Sequence, residues 1–335
     1  MNKDRAVKKT LTYASKRLIY LARVFLMLTG FIPLASMLFI GCFKPEDLEL
    51  RTIEHDNQER TYYLHVPDTL ETSPPAPLVI ALHGLLETGA LLAHVTDFNE
   101  LADAERFIVA YPNGKFRRFT FQSGSTPDDA GFVLAVIKDI AADYAIDNSR
   151  LYLVGSSNGG FLVYQLVCEH PGMFAAAAPV ISAFPTNTAE DYSSSLDMPM
   201  MIIHGDADPL IPYDAEAVYA GPWRMFDILS IPQTVEFWVE QNGCEPVPLV
   251  EPIPDRDPTD GTTTTRETYV DQDGIPKVVH FKVHNGGHNW PGGNHRVPGF
   301  IIGPQSRDFS ATEAIWEFFT LHQRDTSPSK KTPAG

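Results

Sequence analysis

Four short stretches hold the residue types of nucleophilic acyl chemistry. The first is Gly155-Ser156-Ser157-Asn158-Gly159, a Gly-x-Ser-x-Gly pattern. It follows the apolar run Leu151-Tyr152-Leu153-Val154 and leads into a helical stretch read from about Gly160 to His170. A strand that feeds a helix through a glycine-lined turn lifts the serine hydroxyl above a sheet. Ser157 is therefore the candidate nucleophile. The Asn158 amide, at the helix N-terminus, is the first candidate donor to an oxyanion.

A serine hydroxyl needs a base. His288, in Asn285-Gly286-Gly287-His288-Asn289-Trp290, follows the apolar strand Val278–Val283 and precedes the last helix. The base needs a carboxylate to fix its tautomer and stabilise its charged form. Asp206 and Asp208, in His204-Gly205-Asp206-Ala207-Asp208-Pro209, both follow the strand Met200–Ile203. Asp208, deeper in the loop, is favoured, and Asp206 reads as a turn former. The order Ser, Asp, His is that of α/β-hydrolases. A second oxyanion donor is expected from the loop after an early strand. His83-Gly84-Leu85-Leu86 occupies that place, with the Leu85 N–H as donor and His83 as a structural residue. Trp290 either borders the substrate cleft or packs the histidine loop, and Trp223 and Phe226 either shape the acyl pocket or fill the core. This chemistry is hydrolysis of an ester through an acyl-enzyme, and it requires no cofactor.

Alternating strands and helices must carry these loops. Leu48 to Pro67 reads as two strands around the turn at His55-Asp56-Asn57-Gln58. The unbroken apolar run Leu78–Leu82 suits a strand covered on both faces. A helix is expected from about Leu91 to Glu105, a strand over Phe107–Tyr111, and a helix capped by Asp128 or Asp129 and running to about Ala145. Apolar Phe174–Ile181, a helix over Gln233–Asn242 and a last helix over Thr312–His322 complete the pattern. Cys244 to Thr265 lacks apolar periodicity and reads as a long surface loop. The expectation is the α/β-hydrolase fold, a mostly parallel sheet flanked by helices.

Leu82-His83-Gly84, Gly155 to Gly160, His204 to Pro209 and Gly287-His288-Asn289-Trp290-Pro291-Gly292-Gly293 resemble the polyhydroxybutyrate depolymerase/feruloyl esterase-like α/β-hydrolases. The resemblance spans most of Leu50 to Phe319. It implies secreted hydrolysis of short polyester, or of hydroxycinnamoyl and acetyl sugar esters. A peptidase on the same fold and a non-catalytic cell-surface binding protein are the alternatives.

The N-terminus points to export. Met1 to Gly41 holds seven basic residues and one acidic one, and Val24 to Gly41 carries no charge. A basic start, an apolar run and a small residue at its end describe a signal peptide. Phe39-Ile40-Gly41-Cys42 resembles a bacterial lipobox, with Cys42 as the lipidation site and the only expected tie to a membrane. The expected organisation is a signal over 1–41, one catalytic domain over 42–324 and a disordered tail over 325–335, in a monomer. With 26 basic and 42 acidic residues in the whole chain, the part after Gly41 keeps 19 against 41, a balance of −22. Phosphate backbones are repelled by such a body, which excludes nucleic-acid binding. Cys168 and Cys244 either pair in an oxidising compartment or stay free. His284, His288 and His295 have ligand-like spacing, but the intervening glycines argue against one helix presenting them, and no metal site is expected.

Overall fold

The computed structural model describes residues 48–70, 74–192, 197–220, 222–294 and 297–324. The segment expected to be a signal, Cys42 and the expected tail lie outside the described residues.

A ten-stranded sheet organises the molecule, in the order β1-β2-β4-β3-β5-β6-β7-β12-β11-β10. Its centre is six parallel strands: β4 (Ile108–Pro112), β3 (Ala76–Leu82), β5 (Ile146–Ser156), β6 (Ala176–Val180), β7 (Met200–Gly205) and β12 (Pro276–His284). Antiparallel strands close both edges. β1 (Glu49–His55) and β2 (Gln58–His65) lie beside β4, and β11 (Thr263–Val270) and β10 (Leu249–Ile253) lie beyond β12. A separate hairpin joins β8 (Ala217–Ala220) and β9 (Trp223–Asp227).

Every residue of β3, β4, β6 and β7 is buried, because helices cover both faces. The strand period of two splits β3 between two cores. Leu78, Ile80 and Leu82 face the core built with α3 (Asp129–Asp143), α4 (Asn158–Glu169) and α6 (Ile231–Gln241), among them Phe132, Leu162 and Trp238. Val79 and Ala81 face the core built with α1 (Gly89–Thr96), α2 (Phe98–Glu105) and α8 (Ala311–Thr320), among them Leu92, Phe98 and Phe319. Each large apolar side chain buried this way contributes about 1.5–3 kcal/mol. The short helices α5 (Thr186–Asp191) and α7 (Gly299–Ile302) belong to loops.

Two expectations need correction. The helix expected over Leu91–Glu105 is two helices, because Asp97 takes a left-handed φ of 53° and ends α1 through its N–H to Ala93 O. The expected loop Cys244–Thr265 contains β10 and the start of β11. Four of the five residues of β10 are exposed, so the strand has no apolar alternation to reveal it. Cys168 and Cys244 are both free thiols.

Candidate active site

Ser157 sits between the end of β5 and the first residue of α4. Its φ of 50° and ψ of −111° are strained for a residue with a side chain, at a cost of about 1–3 kcal/mol. Flanking contacts hold the strain. Ser157 N–H donates to Val180 O on β6 at 2.9 Å, and Ser157 O accepts from Gly160 N–H at 2.9 Å. The turn is too tight for side chains beside it. A Cβ on Gly155 would lie 2.5 Å from the Gly159 carbonyl, and one on Gly159 would lie 2.2 Å from Leu82 O.

β7 and β12 are neighbouring parallel strands, with Val283 opposite Gly205, so the loops that follow them lie side by side. That pairing brings Asp208 to His288. His288 Nδ1 is 2.7 Å from Asp208 Oδ2, and His288 Nε2 is 2.9 Å from Ser157 Oγ. A carboxylate accepts only, so Nδ1 carries the proton and Nε2 is left to accept from the hydroxyl. The histidine loop is anchored from below, where His288 N–H donates to Ile302 O of α7 at 2.6 Å. Asp208 is buried, and Oδ1 accepts the Leu210 and Ile211 amides at 2.7 and 2.9 Å. Burial alone would raise its carboxyl. The hydrogen bonds from His288 and the Ile211 amide, with the positive charge that His288 takes up when it is protonated, outweigh burial and hold it below its ordinary value. His204 stands behind, with Nε2 2.8 Å from Ile211 O and 3.4 Å from Asp208 Oδ2. Burial lowers its pKa, which keeps it neutral.

Asp206 does other work. Its carboxylate accepts the Asn285 N–H at 2.6 Å and approaches His284 Nδ1 at 3.2 Å, bracing the two loops. His284 also contacts Thr265 Oγ1 at 2.8 Å, so it is turned away from His288, and His295 lies outside the described residues. Among the described residues, the group with metal-ligand spacing is His55, Asp56 and Asp128. Asp128 Oδ1 is engaged there as the cap of α3, accepting from Gly131 N–H at 2.8 Å.

Two loops frame the space above Ser157. Asn158 is fixed by its side chain: Oδ1 accepts the Phe119 N–H at 2.6 Å and Nδ2 donates to Phe119 O at 3.0 Å. That segment is tied down by the buried Asp129, which accepts from Thr120 N–H at 2.7 Å and pairs with Arg60 at 2.5 Å. After β3, three of four successive amides are engaged. Gly84 N–H donates to Glu87 Oε2 at 2.8 Å, Leu86 N–H to Arg117 O at 2.7 Å, and Glu87 N–H to Gly84 O at 3.2 Å. Among the described residues, no protein acceptor takes the N–H of Leu85 or of Asn158. His83 is buried beneath this loop. Its Nε2 accepts the Gly114 N–H at 2.9 Å, so its Nδ1 donates to Gly84 O at 2.7 Å.

Trp290 is not a cleft residue. It is 1 % exposed, its indole N–H donates to Thr312 Oγ1 at 3.1 Å, and Phe98 meets it edge-on at 6.2 Å. The binding role weighed for it gives way to packing, because a fully covered ring has no face to offer a substrate. Trp223 is exposed on the β8–β9 hairpin. Phe226 packs at 5.0 Å against both Phe121 and Phe161, the latter in the first turn of α4. It also lines an open cleft of about 620 Å³ with Gln122, Thr186, Asn187, Glu190 and Arg224. No motif marks Glu87. Burial raises its carboxyl above the ordinary value, opposed by the Gly84 N–H and by the charge of His288.

Comparison with known proteins agrees with this architecture. The family model described as Esterase PHB depolymerase matches residues 60–218. The esterase NocK of Nocardia uniformis subsp. tsuyamanensis is 30% identical over 272 residues, 77% of this chain and 78% of that protein. Feruloyl esterase C of Emericella nidulans is 24% identical over 299 residues, 87% of this chain and 94% of that one. Among solved structures, the acetyl xylan esterase of Aspergillus awamori superposes with a TM-score of 0.57 at 16% identity, over 82% of this chain and 99% of that one, a likeness of fold.

Proposed function

The chain belongs to the esterase PHB depolymerase family and is a carboxylic ester hydrolase, and on that premise we propose that it is an exported serine esterase acting through an acyl-enzyme on Ser157. The observation that carries this reading is the bridge of His288 between Ser157 Oγ at 2.9 Å and Asp208 at 2.7 Å. Ser157 Oγ attacks the ester carbonyl carbon as His288 Nε2 takes its proton. Asp208, held ionised, stabilises the imidazolium. The carbonyl oxygen becomes an oxyanion, received by the N–H groups of Leu85 and Asn158. The tetrahedral adduct collapses, and the alcohol leaves with the proton from His288. Water then enters with the same base, and the acid leaves Ser157 free.

The test is hydrolysis of p-nitrophenyl acetate and butyrate by wild type and Ser157→Ala. Wild type turns both over and the variant does not; equal rates in the two proteins, or none in either, contradict the reading.

The natural substrate in this reading is a short polyester or a hydroxycinnamoyl or acetyl sugar ester. Rates on methyl ferulate, acetylated xylan and hydroxybutyrate oligomers decide between them. Residues 1–41 act as the export signal of a monomeric catalytic domain over 42–324, with Cys42 lipidated. Mass analysis of the mature N-terminus reads this directly, since an unmodified Cys42 or cleavage elsewhere removes the lipid anchor.

A further inference from the structure

We propose that Glu87 is a positioning residue of the esterase reaction, holding the Gly84–Leu85 peptide so that the Leu85 N–H faces the oxyanion formed on Ser157. The inference rests on the reading of Ser157 as nucleophile and Leu85 as donor.

The Leu85 N–H shares a planar trans peptide with the Gly84 carbonyl, so the two groups point in opposite directions. Whatever fixes Gly84 O therefore aims the Leu85 N–H. Two donors fix it: His83 Nδ1–H at 2.7 Å and the Glu87 N–H at 3.2 Å. The other side of Gly84 needs its own restraint, since glycine's dihedrals are soft. The Glu87 carboxyl supplies it by accepting the Gly84 N–H at 2.8 Å. Glu87 thus engages Gly84 twice, once with its backbone and once with its side chain.

The clasp lies at the site. A Cβ placed on Gly84 would stand 3.0 Å from Glu87 Oε2 and 3.6 Å from Ser157 Cβ, so the carboxyl and the nucleophile flank the same residue. The turn does not hold itself, because Leu86 has a left-handed φ of 66° and exposes its side chain. A carboxyl beside a developing oxyanion would oppose the reaction if fully charged. Burial, which pushes Glu87 toward its neutral form, fits an acceptor whose work is geometric. A carbonyl oxygen is enough for that work, so glutamine substitutes and an apolar side chain does not.

The experiment compares Glu87→Gln, Glu87→Ala and Glu87→Met on p-nitrophenyl butyrate, together with inhibition by an alkylboronic acid. The boronate forms a tetrahedral adduct on Ser157 with an oxygen in the oxyanion position. In the Ala and Met variants kcat falls about 10–100-fold while KM stays within about threefold, and boronate affinity weakens in step with kcat. Glu87→Gln stays within about threefold of wild type. Unchanged kcat in either apolar variant overturns the proposal, as does boronate affinity that holds while kcat falls, or a folded Gln variant as impaired as Ala. Ser157→Ala separates the layers. If it keeps its rate, the nucleophile reading fails and takes this inference with it. If it is dead while Glu87→Ala is fully active, this inference alone fails.

Discussion

Two buried histidines stand at the same end of the sheet, and their partners give them opposite roles. His83, after β3, hydrogen-bonds to backbone on both nitrogens: it accepts from Gly114 N–H and donates to Gly84 O. Both partners are neutral, and burial lowers its pKa to about 4. A second proton on that ring would displace the Gly114 N–H, so His83 serves as a fixed prop. His288, after β12, meets a carboxylate on one nitrogen and a hydroxyl on the other. The carboxylate stabilises the proton that the hydroxyl would give up. The difference shows that burial alone does not mark a catalytic histidine; the charge behind it and the proton in front of it do.

Exchanging those partners tests the comparison. His288→Ala removes the base, and kcat on p-nitrophenyl butyrate should fall on the order of 10⁵–10⁶-fold with the fold intact by circular dichroism. Asp208→Asn leaves the base but removes the carboxylate behind it, and kcat should fall about 10⁴-fold with KM little changed. A loss under tenfold in that variant would make His288 no different in kind from His83.

His83 should show itself in stability. Its folded pKa of about 4 lies below the unfolded value of 6.5, so unfolding takes up a proton in the window between them. Stability from this group is full above pH 6.5 and is lost as pH falls toward 4. Between pH 7 and pH 5 the loss is about 2 kcal/mol. His83→Gln lacks that titration, so its urea midpoint should fall less than that of wild type over the same interval. His280 and His322 are lowered in the same sense and contribute equally to both proteins. The smallest effect belongs to Asp206→Asn. Asp206 braces Asn285 and His284 rather than His288, and kcat should change by less than about twofold.

The sheet's centre and its β1–β2 edge are legible in the sequence, and the β10 edge is not. β3, β4, β6 and β7 are buried along their whole length and read as unbroken apolar runs. β10 exposes most of its residues and carries Pro252, so its pairing with β11 depends on a neighbour that no local pattern announces. The site divides in the same way. Ser157, Asp208 and His288 sit on turns whose glycines and flanking strands have sequence signatures. Glu87 acts through a side-chain bond to a backbone amide three residues earlier, and an acid after two leucines carries no sign of it. Trp290 adjoins the histidine by two residues, yet the loop turns it into the core against Phe98 and Thr312.

In the proposed reaction the acyl group passes through Ser157. Brief mixing with an excess of p-nitrophenyl butyrate, acid quench and peptide mass analysis reads this directly. Wild type should carry a butyryl increment on the peptide containing Ser157, and Ser157→Ala none. A butyryl group on another residue, or the same increment in Ser157→Ala, would contradict it.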